Sequence, residues 1–343
     1  MGFAARLLAW FHDNGRDLPW RRTRDPWAIW VSEIMLQQTR VEAVRDSYQR
    51  FLARFPRPAD LAAASDDELM LAWRGLGYYR RARLLRDGAR TVMVEHGGVV
   101  PATAERLGRL PGIGSYTRGA IASIAFDEAT PAVDGNVERI VARRLGLDLE
   151  IKTAVARTRI ADEVLKWLDG VRAGDLNQAL MDLGAMICTP RAPRCSECPV
   201  AVGCIAHREG TTDALPVRKP PRPKVDISAR AALIRGHRGA LGARVPDDEP
   251  NAGQIELPGA GILRTVESMH LAGELRARYG ADLNVGPPLG TIRHTITHHR
   301  ITFTAHAATI RRPGRLKWFP MDDDVPWTTA ARKMFRKTAS TGS

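Results

Sequence analysis

The hydrophobic period of this 343-residue chain changes once, and that change constrains its fold more than any other feature. From about residue 3 to 205 apolar residues recur at helical intervals, broken by turn signals such as Phe55-Pro56-Arg57-Pro58, Gly97-Gly98 and Pro111-Gly112. Trp27, Trp30 and Ile34, followed by Val41, Val44, Tyr48, Phe51 and Phe55, predict two consecutive helices. Between His207 and Val225 the sequence turns proline-rich and basic (LPVRKPPRPKV), which cannot continue a helix and has little to bury, so a linker is expected. Beyond it Ile227–Arg235 and Ile301–Thr309 alternate as strands do, with helices expected over Thr265–Tyr279, ended by Gly280, and over Thr328–Lys337. The expectation is a multidomain chain, an all-α region followed by an α+β domain, without internal repeats.

With 44% hydrophobic and 26% charged residues the composition is that of an ordinary soluble protein, and no apolar run is long enough to cross a bilayer. The N-terminal apolar stretch reaches His12 and Asp13 without a small-residue cleavage site, so no secretory signal is expected. A formal charge of +13 favours polyanionic partners, nucleic acid being the commonest, but a merely basic surface would give the same number.

All four cysteines, Cys188, Cys195, Cys198 and Cys204, fall within 17 residues with the spacing C-x6-C-x2-C-x5-C. Four soft thiolates at this density can saturate one metal centre, whereas disulfides are disfavoured in a chain without a secretory signal. Structural zinc usually takes cysteines as two close pairs, and only Cys195 and Cys198 form one here. The spacing therefore favours a four-iron, four-sulfur cluster, with zinc as its rival.

Three further segments carry chemistry. Leu110-Pro111-Gly112-Ile113-Gly114 precedes a helix start at Tyr116, and exposed amides there can bind phosphate; a plain turn between helices would look the same. Asp134, in Val133-Asp134-Gly135-Asn136-Val137, reads as a helix cap or as a catalytic carboxylate. Glu33 lies in the otherwise apolar Trp30–Gln38 stretch, either exposed on its helix or buried with the raised pKa of a general acid.

LPGIG, VDGNV and the cysteine spacing, in this order, resemble the helix-hairpin-helix DNA glycosylases. Leu18-Pro19-Trp20, Ser32–Thr39 (SEIMLQQT), Gly75–Tyr79 (GLGYY) and Asn177–Ala185 (NQALMDLGA) are similar to the adenine DNA glycosylase, or MutY, family in particular. The likeness runs nearly continuously from about residue 5 to 206. It implies one 4Fe-4S cluster on the four cysteines, in a helical domain of residues 1–21 and 131–206. A six-helix domain carrying the hairpin spans 22–130, and a linker over 207–226 leads to a NUDIX-like lesion-recognition domain over 227–337.

The implied reaction is hydrolysis of the N-glycosidic bond of adenine opposite 8-oxoguanine or guanine in duplex DNA. Glu33 is the implied acid and Asp134 the carboxylate facing the sugar cation, with Tyr116 and Asn136 positioning it. Tyr116 stands where the bifunctional members carry a Schiff-base lysine, so little strand cleavage is expected. DNA contacts are implied at Gly112 and Gly114 of the hairpin, at Gln37, Gln38 and Thr39, and at the turn of Leu76, Tyr78 and Tyr79, which fills the opened stack around the opposing base. Core packing is the alternative for that turn, above all for Leu76.

In the C-terminal domain Ile255-Glu256-Leu257-Pro258-Gly259 matches the NUDIX-like pattern, but Ala277 and Arg278 stand where two metal-binding acids belong, so pyrophosphate hydrolysis is not expected. Thr297 and His298 fall in the implied 8-oxoguanine-recognition loop, with Ile296 in place of the family's aromatic residue. A metal site at His294, His298 and His299 is a weaker reading. The family implies a cytoplasmic monomer, in bacterial cytosol or nucleoid, without membrane partners. The nearest competing function is removal of thymine or uracil opposite guanine by a related glycosylase, against which Glu33, Tyr78 and the C-terminal domain speak. A non-catalytic DNA-binding scaffold is a second competitor, weakened by the presence of both Glu33 and Asp134.

Overall fold

The computed structural model describes residues 1–220 and 222–339. The helical half contains α1 (Phe3–Asn14), α2 (Pro26–Leu36), α3 (Val41–Arg54), α4 (Pro58–Ala62), α5 (Asp66–Ala72), α6 (Arg80–Glu95), α7 (Ala104–Leu107), α8 (Ser115–Phe126), α9 (Gly135–Leu145), α10 (Ala154–Leu168), α11 (Ala173–Met186) and α12 (Ile205–Arg208). The remainder holds strands β1 (Val225–Leu233), β2 (Arg235–Gly236), β3 (Gly239–Arg244), β4 (Ile255–Glu256), β5 (Asp282–Ile296), β6 (His299–Arg312) and β7 (Lys317–Phe319), with helices α13 (Leu271–Tyr279) and α14 (Thr329–Ala339). An all-α region followed by an α+β region is the architecture the change of period required. Among the described residues no helix is long and apolar enough to cross a membrane.

Two compact units divide the chain: Met1–Ala63 with Arg83–Pro220, and Ala64–Ala82 with the residues beyond Pro220. In the first, α2 starts cleanly because Asp25 caps Trp27 and Pro26 occupies the first turn, where its missing N–H costs nothing. Its residues Trp27 to Met35 are all buried, since α3 and α8 both pack on it. A second core joins α1, α9, α10 and α11, with the rings of Phe3 and Trp167 stacked at 3.9 Å. After α12, residues 209–220 form neither helix nor strand, and part of this stretch is tied to the helical unit. Arg143 Nε donates to the carbonyls of Thr212 (3.0 Å) and Leu215 (3.1 Å), and Ile151 N–H donates to Val217 O at 3.0 Å.

In the second unit β6 lies between β1, parallel to it, and β5, antiparallel, while β3 pairs with β2, β4 and β7. Strands β1 and β6 and helix α14 fall where the alternation and periodicity put them. The helix expected from Thr265 starts only at Leu271, after a short 3-10 turn. The reason is local: Val266 N–H donates to Ser228 O (3.1 Å) and Thr265 Oγ1 accepts from Ser228 N–H (3.2 Å), so these residues are held extended beside β1. Gly280 does end the helix, with φ +65°, a conformation only glycine adopts cheaply.

Candidate active site

A cleft of about 540 Å³ opens in the first unit, and its wall contains Glu33, Tyr116, Asp134 and Asn136 together with Gln37, Gln38 and Thr39. Three elements deliver the first four: α2 carries Glu33, α8 carries Tyr116, and the start of α9 carries both Asp134 and Asn136. The fully packed α2 carries Glu33 inward, so that the carboxylate is 4% exposed. Tyr116, in the first turn of α8, donates its hydroxyl proton to Glu33 Oε2 at 2.6 Å. Asp134 is the cap of α9: Oδ1 accepts from the N–H groups of Asn136 (2.9 Å) and Val137 (2.8 Å), and Oδ2 accepts from Asn136 Nδ2 (2.8 Å). The cap and the candidate catalytic carboxylate are therefore the same group, and the cap aims it.

Close packing holds the segment before Asp134 in place. Gly119 on α8 lies so near Pro131 that a Cβ would sit 2.2 Å from the Pro131 carbonyl oxygen. From α11 the buried Asn177 accepts from Ala132 N–H (3.1 Å) and donates to Thr130 O and Ser123 Oγ, both at 2.9 Å. Asn136 is in turn gripped by Arg139, whose Nη2 reaches Asn136 Oδ1 (2.9 Å) while its Nε donates to Cys188 O (2.7 Å). One guanidinium thus joins the active-site loop to the first cysteine.

Burial is the main force on Glu33 and lifts its pKa to about 7; the Tyr116 hydrogen bond opposes the shift and the nearby charge of Asp134 adds to it. Burial also raises Tyr116 well above the usual phenol value, so the phenol stays protonated and can donate to Glu33. The pKa of Asp134 is raised as well, by burial, against the hydrogen bonds from Val137 and Asn136 and the charge of Arg139. A carboxylic acid that titrates near neutrality thus shares a cleft with a carboxylate that has three donors to stabilise its charge.

Arg16, Arg21 and Asp182 were not foreseen as a group. Asp182 is fully buried and accepts from Arg16 Nε (2.7 Å), Arg16 N–H (2.9 Å) and Arg21 Nη2 (2.8 Å). Both arginines line the cleft, and Arg21 lies close enough to lower the Glu33 pKa slightly. Burial alone would raise Asp182, but Arg21 and Arg16 outweigh it and its pKa is lowered. Removing the carboxylate would leave two guanidiniums without their counter-charge. Asp182→Ala is expected to lose about 3–5 kcal/mol of stability in urea unfolding, and an unchanged midpoint would contradict this account of the triad.

The hairpin lies between α7 and α8. Gly112 has φ +78°, and a Cβ there would stand 2.7 Å from Leu84 Cβ, so both its conformation and its packing demand glycine. Gly114 caps α8 without a side-chain hydrogen bond to its first amides, the arrangement in which a helix start can receive an anion. Tyr78 and the neighbouring turn belong to the other unit. Tyr78 is 47% exposed, whereas Leu76 (4%) and Tyr79 (6%) are buried. Leu76 was expected at DNA; in this conformation it packs inside, and Tyr78 alone of the three presents its ring. Thr297 and His298 form the β5–β6 turn, with Thr297 at φ +53° and exposed.

The four cysteines are free and line one pocket with Phe3, Ile140, Leu183, Ile187 and Val200. Arg143 Nη1 donates to Cys188 Sγ at 3.4 Å, and Arg144 lines the same pocket. Among the described residues no three His, Cys, Asp or Glu side chains are grouped to hold a single ion, and the thiols instead ring a volume. A four-iron cluster takes one thiolate at each iron and carries net negative charge. A ring of thiols flanked by two guanidiniums fits that donor requirement.

The fold and this cleft define a class. Residues 31–166 match the family described as HhH-GPD superfamily base excision DNA repair protein. A solved thermostable thymine-DNA glycosylase is similar over 60% of this chain and 95% of its own, with a TM-score of 0.56 and 30% identity. The adenine DNA glycosylase of Mus musculus is 33% identical over 401 residues, covering 97% of this chain and 77% of the mouse protein. That of Homo sapiens is 33% identical, covering 97% and 73%. For Rattus norvegicus the identity is 43% over 268 residues, 75% of this chain and about half (51%) of the rat protein's length. The chain belongs to the adenine DNA glycosylase family.

Proposed function

We propose that this chain is a monofunctional glycosylase that removes adenine opposite 8-oxoguanine or guanine from duplex DNA. The observation that carries the reading is the buried Glu33, titrating near neutrality and bonded to Tyr116 in the cleft that also holds Asp134. With the target adenine turned out of the duplex into the cleft, protonated Glu33 gives its proton to the ring nitrogen N7. The N9–C1′ bond breaks, its electron pair stays with the now neutral adenine, and a cationic sugar remains. Asp134, held by Asn136 and Val137, stabilises that cation; water then adds at C1′ and its proton returns to a carboxylate of the cleft. Tyr116 offers no amine for a Schiff base, so the strand is left intact.

Gly112 and Gly114 serve the phosphate backbone, Gln37, Gln38, Thr39 and Tyr78 the opened stack, and Thr297 and His298 the lesion in the opposite strand. Cys188, Cys195, Cys198 and Cys204 hold one 4Fe-4S cluster, which fixes the loop that Arg139 ties to Asn136. Residues 227–337 form a NUDIX-like lesion-recognition domain, and the protein works as a cytoplasmic monomer. The test is a panel of duplexes with A opposite 8-oxoguanine, A opposite G, and T or U opposite G, each treated with alkali after incubation. Alkali-labile sites should arise at the two adenine mispairs, and Thr297→Ala and His298→Ala should narrow the gap between them. Cleavage at T or U alone would replace this reading with the related mismatch activity, and an inert protein would leave only a DNA-binding scaffold. Iron and sulfide analysis, at about four of each per chain, checks the cluster against zinc.

A further inference from the structure

The segment Ala64–Ala82, although framed by helical residues on both sides, forms one compact unit with the C-terminal residues. Its tip is a turn of unusual definition. Gly75 (φ +90°), Gly77 (φ +66°) and Tyr78 (φ +47°) all adopt left-handed conformations, the last of them strained for a residue with a Cβ. Such a turn persists only if its surroundings fix it. Trp73 Nε1 donates to Gly77 O (3.1 Å), and Arg81 Nη2 donates to Leu76 O (2.9 Å) and Gly77 O (3.1 Å) with its guanidinium 5.6 Å from the Tyr78 ring centre. These contacts are internal to the turn and shape it without anchoring it.

The anchor comes from the C-terminal residues. The buried Tyr79 hydroxyl is met by the Gly75 backbone and by the side chain of Gln254, itself only 2% exposed. Gln254 sits just before β4, and its backbone is locked by Val245 N–H donating to Gln254 O at 2.8 Å. At the surface Arg74 Nη1 donates to Asp323 O (2.8 Å) and Oδ1 (3.0 Å), while Arg332 also pairs with Asp323, and Arg244 Nη2 reaches Asp67 Oδ1 at 2.7 Å. Exposed pairs of this kind contribute little each, so the buried Tyr79–Gln254 bond should dominate.

We infer that Tyr79 and Gln254 are positioning residues through which the C-terminal unit sets the Tyr78 turn, making selection of the mispair depend on the unit that reads the opposite strand. This rests on the proposed function, in which the Tyr78 ring enters the opened stack. Tyr79 touches no reacting atom. Its hydroxyl holds the residue next to the ring, so its loss blurs where the ring points and not how the bond is cleaved.

The test uses the full chain and a duplex with adenine opposite 8-oxoguanine and 2-aminopurine beside the opposing base. Tyr79→Phe and Gln254→Leu should each reduce the 2-aminopurine fluorescence rise and narrow the affinity ratio of mispaired to matched duplex by about 3- to 10-fold. The double variant should do no worse than either single one, because both remove the same bond. Excision from bound duplex at saturating enzyme should change by less than about twofold, and Asp323→Ala should shift the ratio by less than about twofold. Unchanged ratios and fluorescence, an equal loss of affinity for mispaired and matched duplex, or multiplying effects in the double variant would each overturn the inference. Wild-type protein that removes no adenine would overturn the functional reading and this inference with it; wild-type excision with unaffected variants overturns this inference alone.

Discussion

Glu33→Gln is expected to bind mispaired duplex as wild type does and to lose about 10²- to 10⁴-fold in single-turnover excision of adenine. Glutamine keeps the shape and can still meet the Tyr116 hydroxyl, so the packing of α2 survives; what disappears is the proton. Because burial lifts the Glu33 pKa to about 7, the wild-type rate should be highest on the acid side and fall as pH rises through about 7, while the variant's residual rate should lack that limb. The same titration bears on stability. A carboxyl whose folded pKa is raised stabilises the fold fully below its unfolded value, near 4.5, and that contribution is lost as pH rises through about 7. Glu33→Gln should therefore become more stable than wild type above about pH 7, a gain absent below about 4.5. Urea unfolding across that range measures it. A variant excising at near wild-type rate would remove Glu33 from the acid role; one destabilised at every pH would mean the carboxylate is paired more strongly than Tyr116 alone allows.

How much of this could be read beforehand depended on the range of the interaction. The two helices of Trp27–Phe55 and the glycine end at Gly280 are local, carried by spacing and by a conformation only one residue type takes readily. Whether Glu33 was exposed or buried was not local. A single amphipathic pattern leaves one face to water, but α2 is covered by α3 and α8 together, and sequence spacing cannot report a second covering layer. The pairing of Asp182 with Arg16 and Arg21 spans 166 and 161 residues, so neither arginine was distinguishable from the basic background of the chain. Strand β5 escaped notice for a different reason. Pro287 and Pro288 argue against a strand interior, and the ladder accommodates them through register shifts between Val285 and Gly290. The helix expected from Thr265 failed because a tertiary contact with β1 outweighed local propensity. Positions fixed by neighbours in sequence were legible, and positions fixed by neighbours in space were legible only where a family pattern carried them.

Asp134→Asn separates the structural from the chemical role of the residue that caps α9. Asparagine is about as good a helix cap as aspartate, so Oδ1 can still accept from Asn136 and Val137, and unfolding should shift by no more than about 1 kcal/mol. The second side-chain atom differs. Where Asp134 Oδ2 now accepts from Asn136 Nδ2, the variant would set a donor against a donor, and Asn136 would have to turn within the grip of Arg139. More important, the full negative charge that faces the sugar as its bond to adenine breaks is gone, and a neutral amide dipole cannot replace it. Excision is expected to fall at least about 10²- to 10³-fold. Removing the Asp134 charge should also weaken its upward push on Glu33, so whatever activity survives should lose its basic limb at a lower pH than in wild type. Asp134→Ala is the comparison: it loses the cap as well, adding about 1 kcal/mol of destabilisation without a much larger loss of rate. If Asp134→Asn retained the wild-type excision rate, the carboxylate would be a cap and nothing more; if its rate loss followed its stability loss, the two roles would not be separable.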